Sequence, residues 1–277
     1  MTCIYLDGAK ISVAQTGVGE PVVLLHSSLS SGAQWSALSD SIADRFRAVM
    51  PDHYGCGRSD PWPGLEPFSL SAEAIALGRI ARDLGEQIHL VGHSYEGALA
   101  LHVACRRRSA IRSLTLVEPS AFQLLHAAGS DAHFAEISGV AAAMDSAVLR
   151  GDRRGATAYF VDYWNGAGAY EQLSEERRAK LVTRIAKVPL DFWAILREKT
   201  DLVAISRIDA PTPLVHGDRS PKPSLDLIEI LAEALPNCGT AVIEGAGHMA
   251  PLTHARAVSM AVGKHLDALA PIQRRAA

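Results

Sequence analysis

One serine in this chain has the surroundings of a nucleophile. Ser94 lies between an apolar run that ends at Val91 and a helix predicted over residues 95–107, and Gly92 precedes it by two positions. Such a strand-to-helix turn pushes the serine Oγ out of the sheet, and the following helix N-terminus favours negative charge beside it. The spacing predicts a nucleophile elbow, although Glu96 stands where the strict Gly-x-Ser-x-Gly pattern has glycine. A serine that only caps the helix is the alternative.

A histidine late in the chain has the surroundings of a general base. His248 follows the last predicted strand, and the neighbouring Gly245 and Gly247 free the backbone to aim its ring at the sheet edge. The unperturbed pKa of histidine lies near neutrality, which suits proton transfer from a serine. We therefore predict that His248 is the base for Ser94. Of the other histidines, His93 is expected to pack beside the elbow, and the rest to be structural or exposed.

A short loop supplies candidate donors for a developing oxyanion. Residues 26–28 follow the first buried strand of the predicted sheet. Backbone N–H groups in such a loop, with the N–H of the residue after the nucleophile, stabilise the negative charge of a tetrahedral intermediate. We therefore assign the candidate oxyanion hole to Ser28 and Tyr95. An ordinary turn with hydroxyl caps is the alternative.

These loops are positioned by strands and helices that alternate along the chain. An Asp7-Gly8 turn predicts a hairpin over residues 5–16, and short apolar runs typical of buried strands recur between helical patterns. The predicted strands are 22–25, 47–50, 88–92, 113–117, 212–216 and 241–244, and the predicted helices are 34–44, 71–84, 95–107, 225–235 and 255–269. Repeated strand–helix units predict an α/β fold with a mostly parallel central sheet flanked by helices.

The alternation stops for one long segment. From residue 121 to residue 206 the pattern indicates several helices and no strand. The segment is too long for a plain loop, so we predict an inserted helical cap, or lid, over 121–206. The core domain then comprises residues 1–120 and 207–277.

Composition excludes several classes of protein. Of the 277 residues, 48% are hydrophobic and 21% charged, which is ordinary for a globular chain. The 27 Lys and Arg against 30 Asp and Glu give a net charge of −3, which argues against a nucleic-acid partner. No apolar run approaches a membrane span, and no signal peptide is expected from the first residues.

The expected partner is a small-molecule substrate, with no nucleic acid and no membrane. The four cysteines are scattered without metal-like spacing and are interpreted as reduced thiols, which favours a cytoplasmic location. No glycine-rich phosphate loop or metal cluster is evident, so no cofactor and no metal are predicted. The sequence leaves the oligomeric state open.

The motifs together resemble the α/β-hydrolase superfamily, and the resemblance covers nearly the whole chain. It is specific for the fold and much less so for the substrate. The matching segments are Leu24-Leu25-His26 with Trp35, Asp52-His53-Tyr54-Gly55-Cys56-Gly57-Arg58-Ser59, Gly92-His93-Ser94-Tyr95 and Gly247-His248.

The resemblance leaves two positions for the acid of a catalytic triad. Most relatives carry it after the next-to-last strand, three residues beyond a glycine, where this chain has Ser220. Asp218 lies two residues earlier. The second family position follows the strand after the nucleophile helix, where Glu118 stands at the end of an apolar run. A buried charge there is unfavourable unless it is paired, so we favour Glu118 as the acid. Asp218 is the alternative acid. If Glu118 is not the acid, it is expected to be a salt-bridged loop residue with a structural role.

Glu96 departs from the family pattern. Its carboxylate is expected to point to solvent beneath the cap. If it turned towards Ser94 instead, it would repel an oxyanion and slow or retune the enzyme.

Aromatic residues of the cap are candidates for a substrate pocket. Tyr163 and Trp164 are the pocket candidates and suggest a small, largely apolar ester or related carbonyl compound. Packing within the cap's own core is the alternative for Trp164 and Trp193.

The predicted chemistry is acyl transfer through Ser94. The related dehalogenases and epoxide hydrolases carry aspartate at the elbow, which argues against those reactions here. Three alternatives stay open: a carbon–carbon bond hydrolase, a cofactor-free haloperoxidase, and a ligand-binding protein with a weakened triad.

Overall fold

One eight-stranded sheet organises the protein, whose computed structural model describes residues 2–64, 66–85 and 87–269. The spatial order is β1-β2-β4-β3-β5-β6-β7-β8, and pairing is antiparallel for β1–β2 and β2–β4 and parallel for the rest. The strands are β1 (Thr2–Leu6), β2 (Ala9–Thr16), β3 (Glu20–Leu25), β4 (Phe46–Pro51), β5 (Ile88–His93), β6 (Ile111–Val117), β7 (Thr212–Gly217) and β8 (Cys238–Ile243).

Helices cover both faces of the sheet, which confirms the predicted α/β class. They are α1 (Ser36–Ile42), α2 (Leu70–Leu84), α3 (Tyr95–Arg106), α4 (Gln123–Ala127), α5 (Asp131–Leu149), α6 (Arg153–Asn165), α7 (Glu175–Arg184), α8 (Lys187–Leu196), α9 (Leu202–Ile205), α10 (Lys222–Ala234), α11 (Ala250–Thr253) and α12 (Ala255–Leu269), with 3₁₀ turns at Gly32–Trp35 and Arg108–Ala110. Of the helices in the described residues, none combines the length and the apolar character needed to cross a membrane.

The two faces of the sheet have separate apolar cores. One core joins the sheet to α2, α3, α10 and the helices between β6 and β7, through side chains such as Leu77, Leu227 and Phe192. The other joins it to α1 and α12, through side chains such as Leu38 and Val258. Because both faces are covered, the side chains of β5 are all buried, and so are those of β3 after Glu20, rather than alternating between buried and exposed.

Local signals explain where α2 begins and ends. The Ser69 Oγ accepts a hydrogen bond from the Ala72 N–H at 3.2 Å, so the helix begins at Leu70, one residue before the predicted start. Gly85 ends it in the left-handed conformation, with φ 71°. Both boundaries therefore follow from residues that neighbour the helix in sequence.

The segment between β6 and β7 carries helices α4 to α9, within the bounds 121–206 predicted for a cap. Between residues 118 and 211, all of them described, there is no strand. Two of these helices reach the carboxyl edge of the sheet: Trp164 of α6 packs on His248 after β8, and Asp191 of α8 contacts Ser28 after β3. The segment therefore closes over the edge at which the predicted site residues lie.

The tight turn between β5 and α3 depends on two glycines. A Cβ on Gly92 would lie 2.5 Å from the Glu96 carbonyl oxygen, and a Cβ on Gly97 would lie 2.9 Å from the Pro119 Cα. Such distances are shorter than atoms of these kinds approach, and both neighbours are backbone atoms that cannot move aside cheaply. Close packing of helix on strand thus requires glycine at 97, and a side chain is accommodated at 96.

We expect Gly97→Ala to destabilise the protein. The added methyl group would overpack the contact with Pro119, at a cost of about 1–3 kcal/mol. The matched control is Gly139→Ala on the exposed side of α5, where a Cβ meets nothing within 4 Å and alanine should stabilise the helix by about 0.5–1 kcal/mol. Urea unfolding of both variants measures the difference. Wild-type stability for Gly97→Ala would contradict the tight packing described for this turn.

Candidate active site

Ser94 lies at a strained turn between β5 and α3. Its φ of 57° and ψ of −124° fall in a region that residues other than glycine rarely adopt. Its N–H donates to the Val117 carbonyl at 3.0 Å, and its own carbonyl accepts from the N–H groups of Gly97 and Ala98. These backbone bonds hold the conformation and leave the Oγ free to face the loop after β8.

His248 bridges Ser94 and Glu118. Its Nε2 lies 2.8 Å from the Ser94 Oγ, and its Nδ1 lies 3.3 Å from the Glu118 Oε2. The three side chains come from the ends of β5, β6 and β8, which the sheet brings to one edge. With the Nδ1 proton directed at the carboxylate, the Nε2 lone pair is directed at the serine hydroxyl.

The backbone of His248 is held by His93. The Nε2–H of His93 donates to the His248 carbonyl at 2.9 Å, and the Gln34 side-chain amide donates to its Nδ1 at 3.1 Å. Burial, followed by the nearby His248, lowers the pKa of His93 to about 3, so its ring is neutral. His93 therefore packs beside the elbow as a neutral link between Gln34 and the loop that carries His248.

Glu118 is buried and has several donors. Its Oε1 accepts hydrogen bonds from the Gly217 N–H at 2.7 Å and from the Ser220 hydroxyl. Burial opposes ionisation, but His248, Ser220 and Gly217 outweigh it and lower the pKa of Glu118 below its ordinary value. Ser220, which stands where most relatives have the acid, thus supports the carboxylate that occupies the second family position.

Asp218, the alternative acid, lies elsewhere. Its side chain is exposed, and its Oδ1 accepts a hydrogen bond from the Gly245 N–H at 2.7 Å. Its carboxylate therefore stabilises the turn that precedes His248 and does not contact the imidazole ring. The structure therefore brings Glu118, and not Asp218, to His248.

Ser28 and Tyr95 border the same cavity as Ser94. Within the described part of the chain, no hydrogen-bond acceptor faces the backbone N–H of either residue. Leu29, next to Ser28, has a positive φ of 60°, which marks a sharp turn in this loop. Two unused N–H donors therefore lie beside the candidate nucleophile.

The cavity above Ser94 is narrow and largely apolar. Its volume of about 20 Å³ is near the room needed by one water molecule. The Trp164 ring stacks on His248 with centroids 4.0 Å apart. The lining residues are Ser28, Ser94, Tyr95, Ser120, Phe122, Phe160, Trp164, Val188, Asp191, Phe192 and Ile195.

The two cap candidates from the sequence have different positions. Trp164 lines the cavity, whereas Tyr163 does not: its hydroxyl donates to Glu136 at 2.8 Å and its ring packs edge-on against Trp164. Tyr163 was therefore wrong as a pocket residue, because the turn of α6 directs it away from the sheet edge. Trp193, about half exposed, lies beneath the Arg197 guanidinium.

Two polar lining residues were missed by the sequence reasoning. The Ser120 Oγ lies 3.2 Å from the Ser94 Oγ, and Asp191 accepts a hydrogen bond from the Ser28 Oγ at 2.7 Å. The available signal for Asp191 was a single acid within an otherwise apolar stretch of α8. For Ser120 there was only its position two residues after Glu118.

The expectation that Glu96 points to solvent was wrong. Its side chain is 1% exposed, because α2 and α8 cover the first turn of α3, and its Oε2 lies 3.0 Å from the His53 Nε2. Burial, and then the neighbouring Glu73 carboxylate, raise the pKa of Glu96 well above its ordinary value. The protonated form is therefore favoured, and the side chain faces His53 rather than the nucleophile.

The side chains of His53, Glu73 and Glu96 lie as close together as the ligands of a metal site. Their candidate ligand atoms lie within 4.8 Å of one another. However, Glu73 faces the Nδ1 of His53 and Glu96 faces its Nε2, so the carboxyl groups occupy different edges of one ring. The Lys187 ammonium, 3.4 Å from the Glu73 Oε1, supplies positive charge within the group. The arrangement matches an imidazole between two carboxyl groups better than a metal site.

Known proteins resemble this chain in sequence and in structure. A family model described as alpha/beta hydrolase fold matches residues 20–255. A pimeloyl-[acyl-carrier protein] methyl ester esterase from Chromobacterium violaceum is 26% identical over 260 residues, or 93% of this chain and 98% of that enzyme. A thermophilic esterase from Thermogutta terrifontis superimposes with a TM-score of 0.71 at 22% identity, with 98% of each chain covered. At that identity the structural likeness shows the fold alone.

A shorter match links the chain to a different activity. A cis-3-alkyl-4-alkyloxetan-2-one decarboxylase from Shewanella oneidensis is 31% identical over 121 residues, which is 43% of this chain and 38% of that enzyme. The chain thus aligns with well under half the length of that relative. A match of this extent does not carry the relative's activity to this chain.

The lowered pKa of Glu118 predicts a pH-dependent contribution to stability. A group whose pKa is lower in the folded state stabilises the fold above its ordinary pKa of 4.5, and the contribution is lost as pH falls through the folded-state value. Glu118→Gln should therefore be less stable than wild type at about pH 7, and the difference should shrink below about pH 4.5. Urea unfolding across this range measures it.

The control for this measurement is Glu244→Gln, at an exposed position after β8. A solvated carboxyl of this kind should change stability by less than about 0.5 kcal/mol. A constant difference between Glu118→Gln and wild type at every pH would contradict the ionised, hydrogen-bonded state of Glu118.

Proposed function

Because the chain belongs to the α/β-hydrolase family, as its motifs suggested, we propose that it is a serine hydrolase acting on a small, largely apolar ester or related carbonyl compound. One observation carries the proposal. The Ser94 Oγ lies 2.8 Å from the His248 Nε2, and the opposite ring nitrogen faces the buried Glu118 carboxylate. This is the order of nucleophile, base and orienting acid that serine acyl transfer requires.

The proposed first step forms an acyl-enzyme. The Ser94 Oγ attacks the substrate carbonyl carbon while the His248 Nε2 takes the hydroxyl proton. The negative charge on the carbonyl oxygen is held by the N–H groups of Ser28 and Tyr95. When the tetrahedral intermediate collapses, the bond to the leaving alcohol breaks and His248 gives its proton to that oxygen. Glu118 stabilises the imidazolium throughout and fixes its tautomer.

The second step releases the acid. A water molecule takes the place of the alcohol, His248 removes one of its protons, and the resulting hydroxide attacks the acyl carbon. The Ser94 Oγ then leaves and recovers its proton from His248. The residues needed for both steps belong to this chain.

The walls of the cavity support an apolar substrate. Phe122, Phe160, Phe192 and Trp164 are among the residues that line it, and a cavity of about 20 Å³ holds no more than about one water. We therefore propose that the helices between β6 and β7 move apart to admit substrate and then close over it. Closure excludes water and strengthens the electrostatic interactions at the site.

A fluorophosphonate probe should label wild-type protein at Ser94, and the protein should hydrolyse short p-nitrophenyl esters. Ser94→Ala should lose both properties because it removes the nucleophile. Ser120→Ala should still be labelled, although its Oγ lies 3.2 Å from that of Ser94. Peptide mass spectrometry identifies the modified residue. Absence of labelling and hydrolysis in folded wild-type protein would support a ligand-binding role instead.

Glu118→Gln should lower kcat by about 10³–10⁴-fold, because the amide cannot stabilise the imidazolium in the same way. Asp218→Asn should leave kcat within about threefold of wild type, since its side chain supports the turn at Gly245. Steady-state kinetics on one p-nitrophenyl ester compares the two. The opposite ranking would transfer the role of acid to Asp218.

A further inference from the structure

A buried charge cluster adjoins the candidate oxyanion hole, and none of its side chains has a role in the proposed mechanism. We define it as Glu73 of α2, Glu96 of α3, and Lys187 and Asp191 of α8. All four side chains are buried. Burying charges is unfavourable unless they are paired and hydrogen-bonded, so a cluster at this position calls for an explanation.

Lys187 is the centre of this cluster. Its side chain is 8% exposed, and its Nζ lies 2.6 Å from the Asp191 Oδ1 and 3.4 Å from the Glu73 Oε1. The ammonium also lies over the rings of Tyr95 and Phe68, at 4.5 and 4.8 Å from their centroids. A side chain from the helices that close over the site is thus inserted among residues of the core.

Proton uptake at one carboxyl group reduces the negative charge of the cluster. Burial opposes ionisation of Glu73, but Lys187, His53 and the Tyr95 hydroxyl outweigh it and lower the pKa of Glu73 to about 2. Burial raises the pKa of Asp191 to about 6, with Lys187 opposing the shift, and it raises the pKa of Glu96 well above the ordinary range. The ionised carboxylates nearest to Lys187 are therefore Glu73 and Asp191.

The cluster holds the side chains of both candidate oxyanion residues. The Ser28 Oγ donates to the Asp191 Oδ2 at 2.7 Å, and the Tyr95 hydroxyl donates to the Glu73 Oε2 at 2.6 Å. Lys187 contacts both acceptors and lies over the Tyr95 ring. The side chains of Ser28 and Tyr95, whose backbone N–H groups would bind the oxyanion, are thus linked through two carboxylates to the Lys187 ammonium.

We propose that Lys187 and Asp191 are positioning residues that align the Ser28 and Tyr95 N–H groups, so that the oxyanion hole is complete only when α8 is seated on the core. This inference rests on the proposed function. A preorganised donor acts on a transition state only when it is fixed to within about 0.5 Å. The loop of Ser28 contains Leu29 at a positive φ of 60°, and the hydrogen bond from the Ser28 Oγ to Asp191 joins this loop to α8.

A double-mutant cycle between Asp191 and Ser28 tests the inference. Asp191→Leu removes the acceptor of the Ser28 hydroxyl but leaves the contact between Lys187 and Glu73. Ser28→Ala removes that hydroxyl but leaves the backbone N–H. Each variant should lower kcat for a short p-nitrophenyl ester by about 10–100-fold, with a smaller change in KM. Because both break the same tie, the double variant should be no slower than the slower single variant. Asp191→Asn, which keeps an acceptor oxygen, should retain more activity than Asp191→Leu.

The control is the exposed pair on α7, where the Lys180 Nζ lies 2.6 Å from the Glu176 Oε1 with the same i,i+4 spacing as Lys187 and Asp191. Glu176→Leu should keep wild-type kcat. Losses that multiply in the double variant, or a kcat of Asp191→Leu within about threefold of wild type, would overturn the inference. If Asp191→Leu does not fold, the result for Ser28→Ala is sufficient. A kcat of Ser28→Ala equal to that of wild type would then refute the inference.

The failure of the inference differs from the failure of the proposed function. An active wild-type enzyme that is labelled at Ser94, but whose variants show no linked loss of kcat, refutes the positioning role and leaves the hydrolase. A folded wild-type protein without labelling or turnover refutes the proposed function, and the inference with it.

Discussion

The strained turn at Ser94 is the constraint on which the rest of this site depends. A left-handed φ at a serine persists only because β5 and α3 pack tightly around it, through Gly92 and Gly97, and because neighbouring backbone groups satisfy its N–H and carbonyl. The turn places one hydroxyl above the sheet edge and begins α3 at Tyr95. Parallel strands then bring Glu118 and His248 to the same edge, since all of them end there.

Several ionisable side chains are buried around the site, and their charges depend on their neighbours. Glu118 stays ionised inside the protein because three donors surround it. Glu96 is buried beside the Glu73 carboxylate, and it favours the protonated form. Lys187 supplies one positive charge between the Glu73 and Asp191 carboxylates. The proposed chemistry and the proposed positioning role therefore rest on the same physical rule: a charge in a water-poor site must be matched by its neighbours.

Much of the fold followed from local patterns. Continuous apolar runs marked the buried strands, and Gly85 marked the end of α2, because these signals act within a few residues. Ser94 and His248 were recognisable for a similar reason, since each stands in a loop with nearby glycines. The start of α2 was misplaced by one residue because its cap lies just outside the apolar pattern.

The sequence by itself determined the α/β architecture, the two loops that carry Ser94 and His248, and the two candidate positions for the acid. Only the tertiary structure decided that Glu118 faces His248, that Glu96 is buried against His53, that Tyr163 lies outside the cavity, and that Asp191 contacts Ser28. The physical reason is distance along the chain. Asp191 and Ser28 are 163 positions apart and His248 and Glu118 are 130 apart, so each contact depends on packing between elements that local sequence patterns do not describe.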